Sequence, residues 1–224
     1  MERASDLVTA LREAPLGPES VEADPLRQFR RWYGEAARAG VLQPDAMHLA
    51  TAGQDGKPSG RMVLYKDPGE HGLAVQGFPF FTNLGSPKAR QIKENPEAAL
   101  TFHWALLGRQ VRIAGRVHRL PAEVSDRYFA TRPEGSQLGA WASPQSEEAG
   151  SREALLARVE QFRREFAAKP IPRPPDWGGF WLEPREMEGT HACVGPARYH
   201  DHPRRRRRDQ PLPEQACQQE VPKM

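Results

Sequence analysis

The chain has 224 residues, of which 38% are hydrophobic and 27% charged, a balance that suits one compact domain or two small ones with solvated ends. Thirty-two Lys and Arg against 29 Asp and Glu leave a formal net charge of +3, too balanced to argue for a nucleic-acid partner. No apolar run approaches the roughly 20 residues that cross a bilayer, which argues against a membrane partner. The first residues, MERASDLVTALREAP, carry acids early and lack an apolar core, so they do not read as a secretory signal. Cys193 and Cys217, with no metal-type spacing, favour a reducing compartment. The expected location is therefore the cytoplasm.

Residues 1–23 mix Pro, Gly and acids and read as a flexible arm. Asp24 and Pro25 then open an amphipathic helix, because Asp caps and Pro fits the first helical position. Its apolar face is Leu26, Phe29, Trp32 and Tyr33, and it ends near Gly40. AMHLATAG and GRMVLYK are strand-like runs joined through Asp55-Gly56, a strong turn signal. FPFFTN is a third strand, followed by a short helix with Ser86 as cap and Pro87 at its first position. AALTFHWALL and RQVRIAGRVHRL form another strand pair, with Val111, Ile113 and Val117 at period two. PAEVSDRYFATRP and SREALLARVEQFRREFA read as helices, and WGGFWLEP as a late strand. The expected class is α+β, an antiparallel barrel-like domain over residues 24–187 with flanking helices. Residues 188–224 are rich in Pro, Arg and Gln and are expected to be a disordered tail. Within it, the Arg204–Arg208 run is compatible with a nucleic-acid patch, an import signal or a solvated tail, and is read as the last.

Cations recur beside small or hydroxyl residues at Arg61, Lys66, Lys88, Arg109, Arg132 and Arg198, as in phosphate sites built without a P-loop. TRPEGS places Arg132 and Ser136 around a Pro-Gly turn, and YFATRP puts Tyr128 four residues before Arg132 on one expected helix face. His191, Cys193, His200 and His202 match no standard finger spacing, so no metal is expected. No serine sits in a nucleophile elbow.

The segments DPLRQFRRWY, MHLATAGQDGKPSGRMVLYK, FFTNLGSPKARQIKENPEAAL, FHWALLGRQVRIAGRV, YFATRPEGSQLGAWASPQS and PIPRPPDWGGFWLEP, in this order, resemble the pyridoxamine 5′-phosphate oxidase family. The resemblance spans residues 24 to about 187. It implies a split β-barrel and a homodimer with FMN at the subunit interface. The implied reaction oxidises pyridoxamine or pyridoxine 5′-phosphate to pyridoxal 5′-phosphate, with O2 as acceptor and H2O2 as product. By resemblance, FMN would be held by Arg61, Met62, Val63, Leu64, Phe81, Thr82, Lys88, Gln110, Gln145 and Ser146. The substrate phosphate would fall to Lys66, Tyr128, Arg132 and Ser136, and Arg198 and His200 would stand beside the reacting carbon.

The sequence also departs from that family. After Glu188 the usual Phe-Trp-Gln-Gly is absent, the spacing to Arg198 is longer, and the closing strand has no counterpart. Pro87 replaces a basic residue, and GEHGLAVQGFPFFTN is several residues longer than the usual turn. These features suggest an altered chain end and an exposed barrel edge. Three readings follow: an active oxidase, a catalytically impaired relative that still dimerises and binds FMN or pyridoxal phosphate, or an Arg-rich protein that binds an anionic surface.

Overall fold

The structure, a computed structural model, describes residues 4–14, 19–143, 151–191 and 195–200. Its strands form a seven-stranded sheet in the order β2-β1-β4-β5-β6-β3, with β7 pairing β6 off that path. The chain divides into two compact units. One holds Met1–Pro44, Thr101–Ile113 and Arg185–Met224; the other holds Asp45–Leu100 and Ala114–Pro184. Strands β4 (Glu97–Trp104), β5 (Arg109–Arg119) and β6 (Trp177–His191) run through both.

In the first unit, α2 (Pro25–Arg38) starts as the sequence dictates: Asp24 accepts a hydrogen bond from the Leu26 amide at 2.9 Å, and Pro25 needs no partner there. The helix buries Phe29, Trp32 and Ala36. Phe29 packs on Phe102 and Trp104, with ring centroids 4.8 and 6.0 Å apart. Each such buried side chain contributes about 2–3 kcal/mol of transfer free energy. Buried Arg109 pairs with Glu35, lies 5.0 Å from the Trp32 ring centroid, and donates to the Leu11 carbonyl at 2.9 Å. Leu11 lies in the last turn of α1 (Ala4–Glu13), so Arg109 serves an end carbonyl that the helix itself cannot satisfy.

The structure differs from expectation in this unit. The segment read as an arm carries α1, and β6 continues to His191 where a tail was expected. Its end pairs antiparallel with β7 (Gly195–His200), from Glu186 opposite His200 to His191 opposite Gly195. The composition hid this strand because its order comes from the ladder and from alternate burial of Met187, Gly189 and His191. Residues 201–224, the Arg204–Arg208 run among them, lie outside the described residues.

His191 is 2% exposed and neither ring nitrogen has a hydrogen-bond partner among the described residues. Burial lowers its pKa below the ordinary 6.5, and the charges of Arg109 and Arg12 push the same way. The Leu11 backbone opposes them without reaching hydrogen-bond geometry. The unfolded chain therefore binds this proton more readily than the folded one. Stability is lost as pH falls below 6.5 and through the lowered native value. Urea denaturation at a series of pH values should show a shallower acid loss in His191→Phe than in the parent chain; equal slopes would remove His191 as the cause.

In the second unit, β1 (Ala46–Ala52) and β2 (Pro58–Leu64) form an antiparallel hairpin whose register sets Leu49 opposite Arg61 and Thr51 opposite Ser59. Its turn uses Gly56 at φ 71°, a left-handed conformation that favours glycine. β3 (Phe78–Asn83) pairs antiparallel with the start of β6. Met47, Leu49, Phe78, Phe80, Leu100 and Leu182 are fully buried in this unit, and β5 buries alternate residues as its period-two pattern requires. α3 (Pro87–Glu94) starts at Ser86, but Ser86 does not cap it; its hydroxyl donates back to the Asn83 carbonyl at 2.7 Å. α4 (Ala122–Ala130) stops before Arg132, since Pro133 disfavours a helical residue before it. A separate helix, α5 (Glu134–Ala142), follows and then α6 (Arg152–Glu165). Tyr128 and Arg132 therefore do not share a helix face, although the Arg132 amide still donates to the Phe129 carbonyl at 3.1 Å.

Candidate functional site

Arg61 sits in the middle of β2 and is ringed by neutral acceptors. Its guanidinium donates to the Leu49 carbonyl (2.9 Å), Thr51 Oγ1 (2.7 Å), the Ser59 carbonyl (2.8 Å) and hydroxyl (2.5 Å), and Gln91 Oε1 (3.3 Å). The register explains this: Leu49 is its direct cross-strand partner, and Thr51 and Ser59 face each other one pair further along. Lys88, on the first turn of α3, is buried, and its Nζ donates to Thr82 Oγ1 (3.1 Å) and Ser86 Oγ (3.3 Å). Burial lowers the pKa of Arg61. It lowers that of Lys88 too, and the Arg61 charge adds to the effect. Two like charges held half out of water by hydroxyls and carbonyls are best neutralised by an anion.

The rest of β2 alternates. Arg61 and Val63 are half-buried, while Met62 is 61% and Leu64 41% exposed, so these neighbours face opposite sides of the strand. Phe81 and Thr82 alternate likewise on β3, with Thr82 turned to Lys88.

A second group of side chains forms around α4. Tyr128 stacks on Phe81, with centroids 4.1 Å apart and planes at 17°. Phe81 in turn lies parallel to Trp177 at 5.1 Å and 7°. The Arg132 guanidinium carbon is 4.9 Å from the Trp177 ring centroid and 5.5 Å from that of Phe129. Its Nη1 is buried and without a hydrogen-bond partner among the described residues. Burial lowers the Arg132 pKa, and Tyr128 pulls it the other way. Ser136 is exposed on the first turn of α5, its amide donating to the Pro133 carbonyl at 2.8 Å. Lys66 is already engaged: its Nζ lies 3.1 Å from Asp45 Oδ2, so an incoming phosphate shares it with a carboxylate.

The remaining expected residues fall elsewhere. Gln110 belongs to the first unit and lines a depression of about 270 Å³ with His103, Gly108, Arg109 and Thr190. Arg198 and His200 stand on β7, opposite Glu188 and Glu186. Gln145 and Ser146 lie outside the described residues. A larger cavity of about 450 Å³, lined by α5 and the residues after α6, contains none of the expected side chains. We place the chemistry at the cation groups nonetheless, because that cavity gathers no convergent polar set. Sequence reasoning missed Trp177 and Asp45. The one signal for Trp177 was the dense aromatic spacing of DWGGFW, which reads equally well as core.

Comparison with known proteins fixes the class first. PhzG from Burkholderia lata 383, solved in complex with tetrahydrophenazine-1-carboxylic acid, superposes with a TM-score of 0.69 at 31% identity, covering 78% of this chain and 84% of that one. A pyridoxamine 5′-phosphate oxidase-related, FMN-binding protein from Nostoc punctiforme gives 0.64 at 18% identity, covering 82% and 94%. The fold is thus the split β-barrel of these proteins. A family model described as pyridoxamine 5′-phosphate oxidase matches residues 33–165. The Rubrobacter xylanophilus protein named pyridoxine/pyridoxamine 5′-phosphate oxidase is 51% identical over 82% of this chain and 83% of its own length. One of the same name from Salinibacter ruber is 46% identical over 93% and 94%. The chain belongs to the pyridoxamine 5′-phosphate oxidase family. The Salinibacter match covers so much of the chain that it reaches beyond β7 wherever it begins.

Proposed function

We propose that the chain is an FMN-dependent oxidase that converts pyridoxamine and pyridoxine 5′-phosphates to pyridoxal 5′-phosphate, working as a homodimer in the cytoplasm. O2 accepts the two electrons and leaves as H2O2; the amine route also consumes water and releases ammonia. The observation that carries this reading is the Arg61–Lys88 pair, two half-buried like charges on neutral donors and acceptors, a cradle that fits a phosphate monoester. Met62 and Leu64, apolar and exposed on a strand at the end of the sheet path, support a partner subunit there. No helix among the described residues is long and apolar enough to cross a membrane.

Arg61, Lys88, Thr82 and Phe81 would hold FMN, together with Val63, Gln110, Gln145 and Ser146. When bound, FMN supplies the two-electron redox chemistry that the amino acids lack. The protein's part is to bind and orient. Tyr128, Arg132, Ser136 and Lys66 hold the substrate phosphate, which fixes the pyridine ring and leaves its C4′ carbon as the reacting end. Arg198 and His200 stand beside that carbon.

Purified protein should be yellow, and pyridoxamine 5′-phosphate added without oxygen should bleach its flavin absorbance. A colourless protein that gains no flavin sinks the whole reading, whereas a yellow protein that never bleaches sinks turnover alone. Lys88→Ala removes a charge-assisted contact, so FMN should bind about 10- to 100-fold more weakly, read by fluorescence titration of the flavin-free protein. Unchanged affinity would show that Lys88 does not meet the phosphate.

A further inference from the structure

Among the described residues, Arg132 is the one expected phosphate ligand that rests on aromatic rings. Its guanidinium carbon lies over Trp177 and Phe129, and its buried Nη1 has no hydrogen-bond partner there. We propose that Trp177 is a positioning residue: its indole face holds the flat side of Arg132, so that the N–H edge is left for the substrate phosphate. This rests on the assignment of Tyr128, Arg132 and Ser136 to the substrate phosphate.

A guanidinium fits the role because it stacks through its face and hydrogen-bonds through its rim at the same time. A carboxylate support would hold the arginine as well, but would cancel the charge that phosphate needs. Trp177 itself is fixed from several sides. Phe81 lies parallel to it, and Phe129 meets its edge at 5.1 Å and 69°. Its amide donates to the Pro174 carbonyl at 3.1 Å. Its carbonyl accepts from Arg173 at 2.5 Å, and Arg173 also grips Asp126 of α4 at 2.6 Å. The same stack reaches Tyr128, whose ring is 6.2 Å from Trp177 with planes at 10°. Trp177 thus backs both phosphate residues of the α4 segment, although they lie far from it in sequence.

The test uses the flavin-loaded, full-length protein. Trp177→Leu keeps apolar bulk but removes the ring face. It should raise the KM for pyridoxamine 5′-phosphate and the calorimetric Kd for pyridoxal 5′-phosphate about tenfold, with kcat within about twofold. Trp177→Phe, with a weaker face, should raise both about threefold, and it carries the comparison if the Leu variant does not fold. Made in an Arg132→Ala background, neither change should add to the loss. A merely structural tryptophan would lower the melting temperature and leave KM and Kd alone, or shift them equally with and without Arg132; either result overturns the proposal. If the parent protein neither oxidises pyridoxamine 5′-phosphate nor binds pyridoxal 5′-phosphate, the functional reading fails and this inference with it. A working parent with insensitive variants overturns this inference alone.

Discussion

Arg132→Ala should raise the KM for pyridoxamine 5′-phosphate by about 10- to 100-fold while kcat changes little, because the lost contact is a charge-assisted hydrogen bond made equally before and during reaction. The structure makes Arg132 the cation most available for this role. Lys66 is shared with Asp45, whereas Arg132 has a buried, unpartnered N–H among the described residues and only rings beneath it. Arg132→Lys should recover only part of the loss, since an ammonium keeps the charge but not the fork or the stacking. Steady-state kinetics with both variants decides the matter. An unchanged KM in the alanine variant removes Arg132 from the substrate site.

Gly115→Ala should be the most damaging small substitution in the sheet. A methyl group there would run into the Glu183 carbonyl oxygen on β6, with the Leu182 side chain closing the other side. A backbone atom cannot turn away as a side-chain tip can, so the strands must separate. We expect a loss of about 3 kcal/mol, or a melting temperature lower by about 6–12 °C. Gly34 is the control: it lies inside α2 with nothing within 4 Å, and alanine there should stabilise by about 0.5–1 kcal/mol. Scanning calorimetry of the two variants should give shifts of opposite sign, and a tolerated Gly115→Ala would mean that β5 and β6 lie further apart than described.

The elements that sequence reading placed well are those with local chemistry of their own. Asp24-Pro25, Asp55-Gly56 and Pro87 each fix a boundary through their backbone preferences, and Val111, Ile113 and Val117 alternate as a buried strand must. The elements it missed depend on partners distant in sequence. α5 contains Gly135 and Gly139, poor helix formers, and is held by buried Leu138 and Ala142 and by Gln137 donating to the Phe129 carbonyl at 2.9 Å. β7 is proline- and arginine-bearing and takes its order from β6. At the site, cation positions could be marked by residue type and then assigned by resemblance. The supports could not be seen: nothing local in DWGGFW says that Trp177 lies under Arg132, or in QPDAM that Asp45 holds Lys66.

The Arg61–Lys88 pair has a consequence for the life of the protein in a cell. Without an anion between them, two half-buried like charges weaken the fold; with one, they help to hold it. By mass action a ligand present at 100 times its dissociation constant adds about 2.7 kcal/mol to the folded state. Empty copies therefore open more often and meet proteases first. The abundance of this protein should follow the supply of its cofactor even at constant synthesis, so that flavin shortage removes the enzyme as well as idling it.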